Sequence, residues 1–237
     1  MAPTIHATLL CNAGLLFRYE DSAILVDALN SPIRSFYAVP ERTAAEIIEG
    51  AGKFACVDGL FYTHLHPDHY DQAKNAAFLR AHPGVAAFFP TPDTPDHGVL
   101  TAGKFTVEYG YLEHTPCEYT WAKHYVLLVS AGGVSVYLTG DASLDAHAHR
   151  AFLAGRRADC GFWNAMYLSY PQTRRLMRES ARSSFIYHVP LPATDESGIC
   201  RKIASNYRRY AQELRGVAVL DRYPTVLSIT PPEEEIL

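Results

Sequence analysis

Cysteine is scarce and scattered in this chain. Cys11, Cys56, Cys117, Cys160 and Cys200 are the only five in 237 residues, an odd number with no Cys-x-x-Cys pair. That excludes a disulfide framework, so the thiols are expected to be reduced. Glycine and proline, fifteen of each, stand near average usage, which excludes collagen-like, low-complexity and wholly disordered chains. Nothing approaches the ~18 consecutive apolar residues of a spanning helix. The opening residues carry no Lys or Arg ahead of their apolar stretch, which Arg18 and Glu20 close early, so they lack the pattern of a secretory signal. The expected address is the cytoplasm, with no membrane partner. Basic charge is not in excess either: 21 Lys and Arg against 25 Asp and Glu give a net charge of −4, which excludes a strongly basic nucleic-acid binder.

What is present is apolar mass, 48% of the residues, enough for a sizeable core. No repeat and no linker divides the chain, so a single domain over residues 1–237 is expected. Short β runs at Thr4 to Leu10, Leu15 to Tyr19 and Ala23 to Val26 read as a meander. A helix from about Thr43 ends near Gly50, followed by a buried strand, Gly59 to Thr63, a loop dense in His and Asp, and a helix from about Tyr70 to Arg80. Further strands are expected at Val85 to Phe89, Phe105 to Leu112, Tyr125 to Ser130 and Val134 to Leu138. The second half then alternates helix and strand, with strands near Cys160 to Met166, Phe185 to His188 and Val217 to Leu220. A last helix from about Asp195 carries Ile199, Ile203, Tyr207, Tyr210 and Leu214 on one face.

Eleven histidines stand in the chain, and three of them fall in Thr63-His64-Leu65-His66-Pro67-Asp68-His69, directly after an apolar strand. Ionisable groups crowded at the end of a buried strand are poorly solvated and mutually repulsive on protonation unless a cation holds them. Alternate residues of an extended segment share a side, so His64 and His66 can reach one metal; Asp68 and His69, beyond the turn at Pro67, can face a second.

His-x-His-x-Asp-His after a strand resembles the signature of the metallo-β-lactamase superfamily. The resemblance implies an α/β fold, a four-layer αββα sandwich, and three further ligands downstream. Tyr137-Leu138-Thr139-Gly140-Asp141 is similar to the segment that delivers the bridging aspartate, and His188, at the end of Phe185-Ile186-Tyr187, to the last histidine. Between them stand two candidates for the middle ligand. His114 lies 27 residues before Asp141, room for a loop and two strands, and is preferred over His124, which lies 17 before it. His124 is kept as a candidate substrate contact, with Tyr70 beside the first motif as another. On this reading His64, His66 and His114 hold one metal, Asp68, His69 and His188 a second, and Asp141 bridges them. Two divalent ions, zinc first and manganese or iron as alternatives, would hold a bridging hydroxide, with Asp68 as the catalytic residue that orients it and takes its proton.

The segments Asn12-Ala13-Gly14-Leu15-Leu16 and Ile24-Leu25-Val26-Asp27 resemble the compact branch that includes ascorbate-6-phosphate lactonase, although that branch has His where Asn12 stands. The implied activity is hydrolysis of a small-molecule ester, lactone or phosphodiester. From Arg150 to Arg215 twelve Lys or Arg face five Asp or Glu, which suits an anionic substrate; several of these lie on helices, where a solvated face is the ordinary explanation. A homo-oligomer is compatible with the sequence. Two other functions use the same ligands: a mononuclear-iron sulfur dioxygenase, and a binding module without turnover. His6, His82, His97, His147 and His149 read as structural, and Cys117 as a thiol that either faces the site or is buried.

Overall fold

A computed structural model describes residues 2–115 and 122–232; Cys117 lies outside the described residues. The meander forms as expected, as β1 (Ile5–Cys11), β2 (Gly14–Tyr19) and β3 (Ser22–Val26). Helix α1 (Glu41–Glu49), strand β4 (Val57–Phe61), helix α2 (Gln72–Ala81) and strand β5 (Ala86–Phe88) follow, with β3, β4 and β5 parallel. The antiparallel run β6 (His97–Ala102), β7 (Phe105–Tyr111), β8 (Tyr125–Ala131) and β9 (Val134–Leu138) opens the second sheet. It continues through α3 (Ala146–Leu153), β10 (Ala158–Asn164), α4 (Pro171–Ser180), β11 (Ala181–Tyr187), α5 (Ile199–Arg209) and β12 (Val217–Val219), its last four strands parallel; β13 (Thr225–Ile229) returns to the first sheet. The strand orders are β13-β1-β2-β3-β4-β5 and β12-β11-β10-β9-β8-β7-β6.

Three apolar clusters define the layers. Ile5, Leu15, Phe17, Ile24 and Val26 meet Leu127, Val129, Val136, Leu138 and Phe162 between the sheets. Leu16, Leu25 and Leu60 turn the other way, against Ala44 and Ile47 of α1 and Phe78 of α2. On the far side Val126, Leu128, Tyr137, Trp163 and Ile186 pack against Leu153 of α3, Leu176 and Met177 of α4 and Ile203 of α5. The result is the α/β, four-layer αββα arrangement. Central strands are buried on both faces, which is why β3 and β10 read as continuous apolar runs rather than as alternation.

Three expectations change. Strand β6, which carries His97, and strand β13 are not among those expected; both alternate exposed and half-buried residues at a sheet edge. The last helix begins at Ile199 because the Asp195 carboxylate accepts from the Ile199 and Cys200 amides. It ends at Arg209, while Tyr210 and Leu214 beyond it still pack on the same cluster. No helix of the described residues is long and apolar enough to cross a membrane.

Candidate metal centre

Four chain segments converge at the carboxyl-terminal ends of strands from both sheets. The loop between β4 and α2 carries His64, His66, Asp68 and His69. His114 follows β7 and is fixed by a bridge to Ala142, Asp141 follows β9, and His188 follows β11. Such strand ends are where open α/β sheets place ligands, because the edge is rigid while the loops vary. Gly140, just ahead of Asp141, holds φ at +50°, and a Cβ there would meet His124 Nε2 at 2.7 Å and Thr63 Cβ at 2.8 Å. The Gly-Asp pair is therefore required by the close approach of two sheets.

The side chains fall into two groups, His64 with His66 and His114, and Asp68 with His69, Asp141 and His188; within each, one ligand atom per residue lies within 4.8 Å of all the others. Asp141 connects the groups. Its Oδ2 lies 3.7 Å from His114 Nε2 and 3.8 Å from His69 Nε2, and its Oδ1 lies 3.8 Å from His188 Nδ1. Those separations exceed a hydrogen bond. They match two ligands of one ion, which bonds of about 2.0–2.2 Å place up to about 4 Å apart. Asp68 Oδ2 stands 3.1 Å from His188 Nε2.

Several polar groups position these ligands. Asp27, fully buried, accepts from the Thr63 amide at 2.8 Å and the Thr63 hydroxyl at 2.7 Å, and its Oδ2 lies 3.0 Å from His69 Nδ1. Asn164 donates from Nδ2 to Asp141 Oδ1 at 2.6 Å and accepts from the Met166 amide. Asn12 and Asn30 both donate to the Asp68 carbonyl oxygen, at 2.8 and 2.9 Å. Asn12, Asp27 and His188 all adopt left-handed backbone, φ of 52°, 50° and 56°. Strain of this kind gathers at functional sites, held by the surrounding hydrogen bonds.

Burial holds the His64 imidazole well below its usual range, and the neighbouring His69 charge adds to that. Burial also opposes charge on His69, yet the Asp27 carboxylate and the contact with Asp141 outweigh it and hold His69 well above the usual range. Burial likewise opposes ionisation of Asp141, but His188 and His69 keep its carboxyl well below the usual range. The Asp68 and Asp141 carboxylates thus stay charged in a largely buried setting, a charge that a cation would balance. A second observation agrees: His64 Nε2, His69 Nε2 and His114 Nε2 are buried without a hydrogen-bond partner among the described residues. Unpartnered buried nitrogens are costly, and a metal ion is the ligand that this set of imidazole and carboxylate donors suits.

The alternatives for the middle histidine separate by geometry. His114 joins the first group, whereas both ring nitrogens of His124 are engaged, Nε2 accepting from the Asp141 amide at 3.0 Å and Nδ1 donating to the Leu112 carbonyl at 3.3 Å. Fully buried, His124 offers nothing to a substrate; it orients the Asp141 backbone instead. Tyr70 too is displaced from the expected substrate role, since its ring packs edge-on against Tyr62 and Phe89 beneath the first sheet. Asp27 is the site residue that sequence reasoning missed, whereas Asn164, which with the residues up to Tyr167 is expected at a strand end to line the pocket, does line it and also holds Asp141. Each is a polar residue at the end of an apolar strand.

No protein-family model matches the chain, and no curated protein matches it. Solved structures do. The metallo-β-lactamase fold protein YhfI from Bacillus subtilis is 16% identical with a TM-score of 0.60 over 96% of this chain and 100% of its own. A possible metal-dependent hydrolase from Veillonella parvula is 12% identical, with a TM-score of 0.63 over 96% of this chain and 99% of its own. CmlA, a diiron β-hydroxylase from Streptomyces venezuelae, is 17% identical with a TM-score of 0.63 over 97% of this chain, which spans 55% of CmlA. The chain thus has the metallo-β-lactamase fold.

Proposed function

We propose that this metallo-β-lactamase-fold chain is a metal-dependent hydrolase of small-molecule esters, lactones or phosphodiesters. One observation carries the reading: two groups of ligand atoms lie side by side, with Asp141 of the second 3.7 Å from His114 of the first, and three of their ring nitrogens lack any hydrogen-bond partner among the described residues. His64, His66 and His114 would hold one cation, and Asp68, His69 and His188 a second, with Asp141 common to both. Divalent metal, when bound, polarises a carbonyl or phosphoryl oxygen and lowers the pKa of water towards neutrality.

The residues supply the rest. Asp68 keeps its carboxylate below the usual range despite burial, because His188 donates to it, so it remains a proton acceptor at neutral pH. Its main chain is clamped by Asn12 and Asn30, which fixes where Oδ2 points. Proton transfer from the attacking water to Asp68 Oδ2, and on to the leaving oxygen, balances the hydrolysis. Asp27 holds the His69 ring and Asn164 holds Asp141, so neither ligand must reorganise during the reaction.

The test is metal content together with turnover. About two zinc or manganese per chain by plasma mass spectrometry, with hydrolysis of an aryl ester or lactone, is the expected result. Asp68→Asn should retain the fold and lose turnover by about 10²–10⁴-fold. Full turnover in that variant would remove Asp68 from the mechanism. The likeness to the diiron hydroxylase CmlA supports a second reading, oxygen chemistry at iron, which iron as the sole metal and dioxygen uptake would favour.

A further inference from the structure

The structure assigns the cavity beside Asp141 and His188 to a small substrate that carries an anionic group, with the Lys202 ammonium as its counter-charge; the assignment rests on the hydrolase reading and narrows it. The cavity encloses about 290 Å³ and opens onto Asp141 and His188. That is the small end of ligand pockets, which run about 300–1,000 Å³, so it suits a compact molecule rather than a polymer. Phe36, Met166, Ile199 and Ile203 give it an apolar wall, and apart from the candidate ligands Lys202 is its one charged lining residue among those described.

The walls are held from two sides. The Phe36 ring lies against His188, with centroids 4.2 Å apart, and so presses on the candidate centre itself. Ser35 Oγ lies 3.1 Å from Ser197 Oγ and accepts from the Ser197 amide at 3.2 Å, which ties the Phe36 loop to the start of α5. Ile199, Lys202 and Ile203 stand at i, i+3 and i+4 on α5, so one helix face carries the apolar wall and the cation together.

Lys202 is the one Lys or Arg in the lining of this cavity, whereas many of the other basic residues of this half are paired elsewhere. Arg150 and Arg175 pair with Glu179, Arg156 with Glu108, Arg174 and Arg178 with Glu213, and Arg182 with Asp159. These six arginines are held by carboxylates that do not line the cavity. The Lys202 side chain makes no hydrogen bond or ion pair with any described residue, and it lines the cavity that opens onto Asp141 and His188. An ammonium in the wall of an apolar pocket that also holds candidate metal ligands recognises a molecule with a carboxylate or phosphate besides the bond to be cleaved.

The experiment uses two probes on the metal-loaded protein. Calorimetry measures binding of the monoanilide of adipic acid and of the uncharged heptanoic anilide, and steady-state kinetics follows the matching phenyl esters. Wild type should bind the anionic anilide tightly enough to measure. Lys202→Gln should weaken it tenfold or more and raise KM for the anionic ester by a similar factor, leaving both neutral probes within twofold and kcat little changed. Lys202→Arg should restore most of the loss. Equal effects on charged and neutral probes, no effect on either, or no anilide binding by wild type would overturn the assignment. Charge-selective binding without hydrolysis of either ester would leave the pocket standing and sink the hydrolase reading. Hydrolysis whose charge preference survives in Lys202→Gln would do the reverse.

Discussion

Asp27 illustrates how one buried carboxylate sets a whole site. It accepts from the Thr63 amide and hydroxyl, which fixes where the His-rich loop leaves β4, and it faces His69 Nδ1, which leaves Nε2 as the outward nitrogen of that ring. An orienting carboxylate of this kind raises ligand basicity and prevents the ring from turning. Asp27→Asn should therefore fold but bind zinc about 10–100-fold more weakly, measured by competition against a chromophoric chelator. Unchanged affinity would show that His69 needs no partner to hold its tautomer. His64, His66, Asp68 and His69 were legible in the sequence because His and Asp at such density after an apolar strand have few other physical explanations, whereas His114, Asp141 and His188 were named only through the family resemblance. Asp27 was not legible, because a single polar residue at a strand end is common and only packing shows which ligand it touches.

Elements carry a second layer of control, seen where α3 holds the loop that delivers Asp141. His149, fully buried on α3, accepts from the Tyr137 hydroxyl at Nδ1 and donates from Nε2 to the Ser143 carbonyl at 2.9 Å, while Tyr167 hydroxyl contacts Nε2 and bonds the Ala142 and Ser143 carbonyls. Burial pushes His149 down from 6.5 to about 4. Between those values the unfolded chain binds a proton that the folded chain refuses, so stability must fall as pH drops through the window. The His149 share of that fall is about 3 kcal/mol. His149→Gln should be less stable than wild type at pH 7 in urea unfolding, yet lose less on going to pH 4.5. Parallel slopes for the two proteins would place the pH dependence in the other buried histidines. His147, two residues away on the same helix, is exposed. The sequence hid the edge strands β6 and β13, whose alternating exposed residues carry too little apolar signal to stand out from loop, and which exist because β7 and β1 offer them a hydrogen-bonding edge.

At the scale of the whole molecule the candidate centre lies across the seam between the sheets. His64, His66, Asp68 and His69 belong to the first sheet's loop, whereas His114, Asp141 and His188 belong to the second sheet. Few backbone bonds cross at this end: the Tyr125 amide to the Thr63 carbonyl at 2.8 Å and the His188 amide to the Asn12 carbonyl at 3.3 Å. Cations gripping both sets would tie the sheets where the shared apolar core gives way to polar loops. Any ligand that binds only the folded state stabilises it by mass action, about 4 kcal/mol at a thousand times its Kd. In a chain of this length each kcal/mol moves Tm by about 2–4 °C, so chelation should lower Tm by roughly 10 °C and zinc should restore it. Because the ligands come from both sheets, the loss should appear as a downward shift of one cooperative transition. An early separate transition for the first half of the chain would mean that the ions brace a loop rather than the seam. Asp141→Asn sharpens the test: the Asp141 carboxylate lies 3.7 Å from His114 Nε2 in one group and 3.8 Å from His69 Nε2 in the other, so this variant should forfeit most of the zinc-dependent increment, on top of a lower metal-free Tm from losing the charge that His188 and His69 favour.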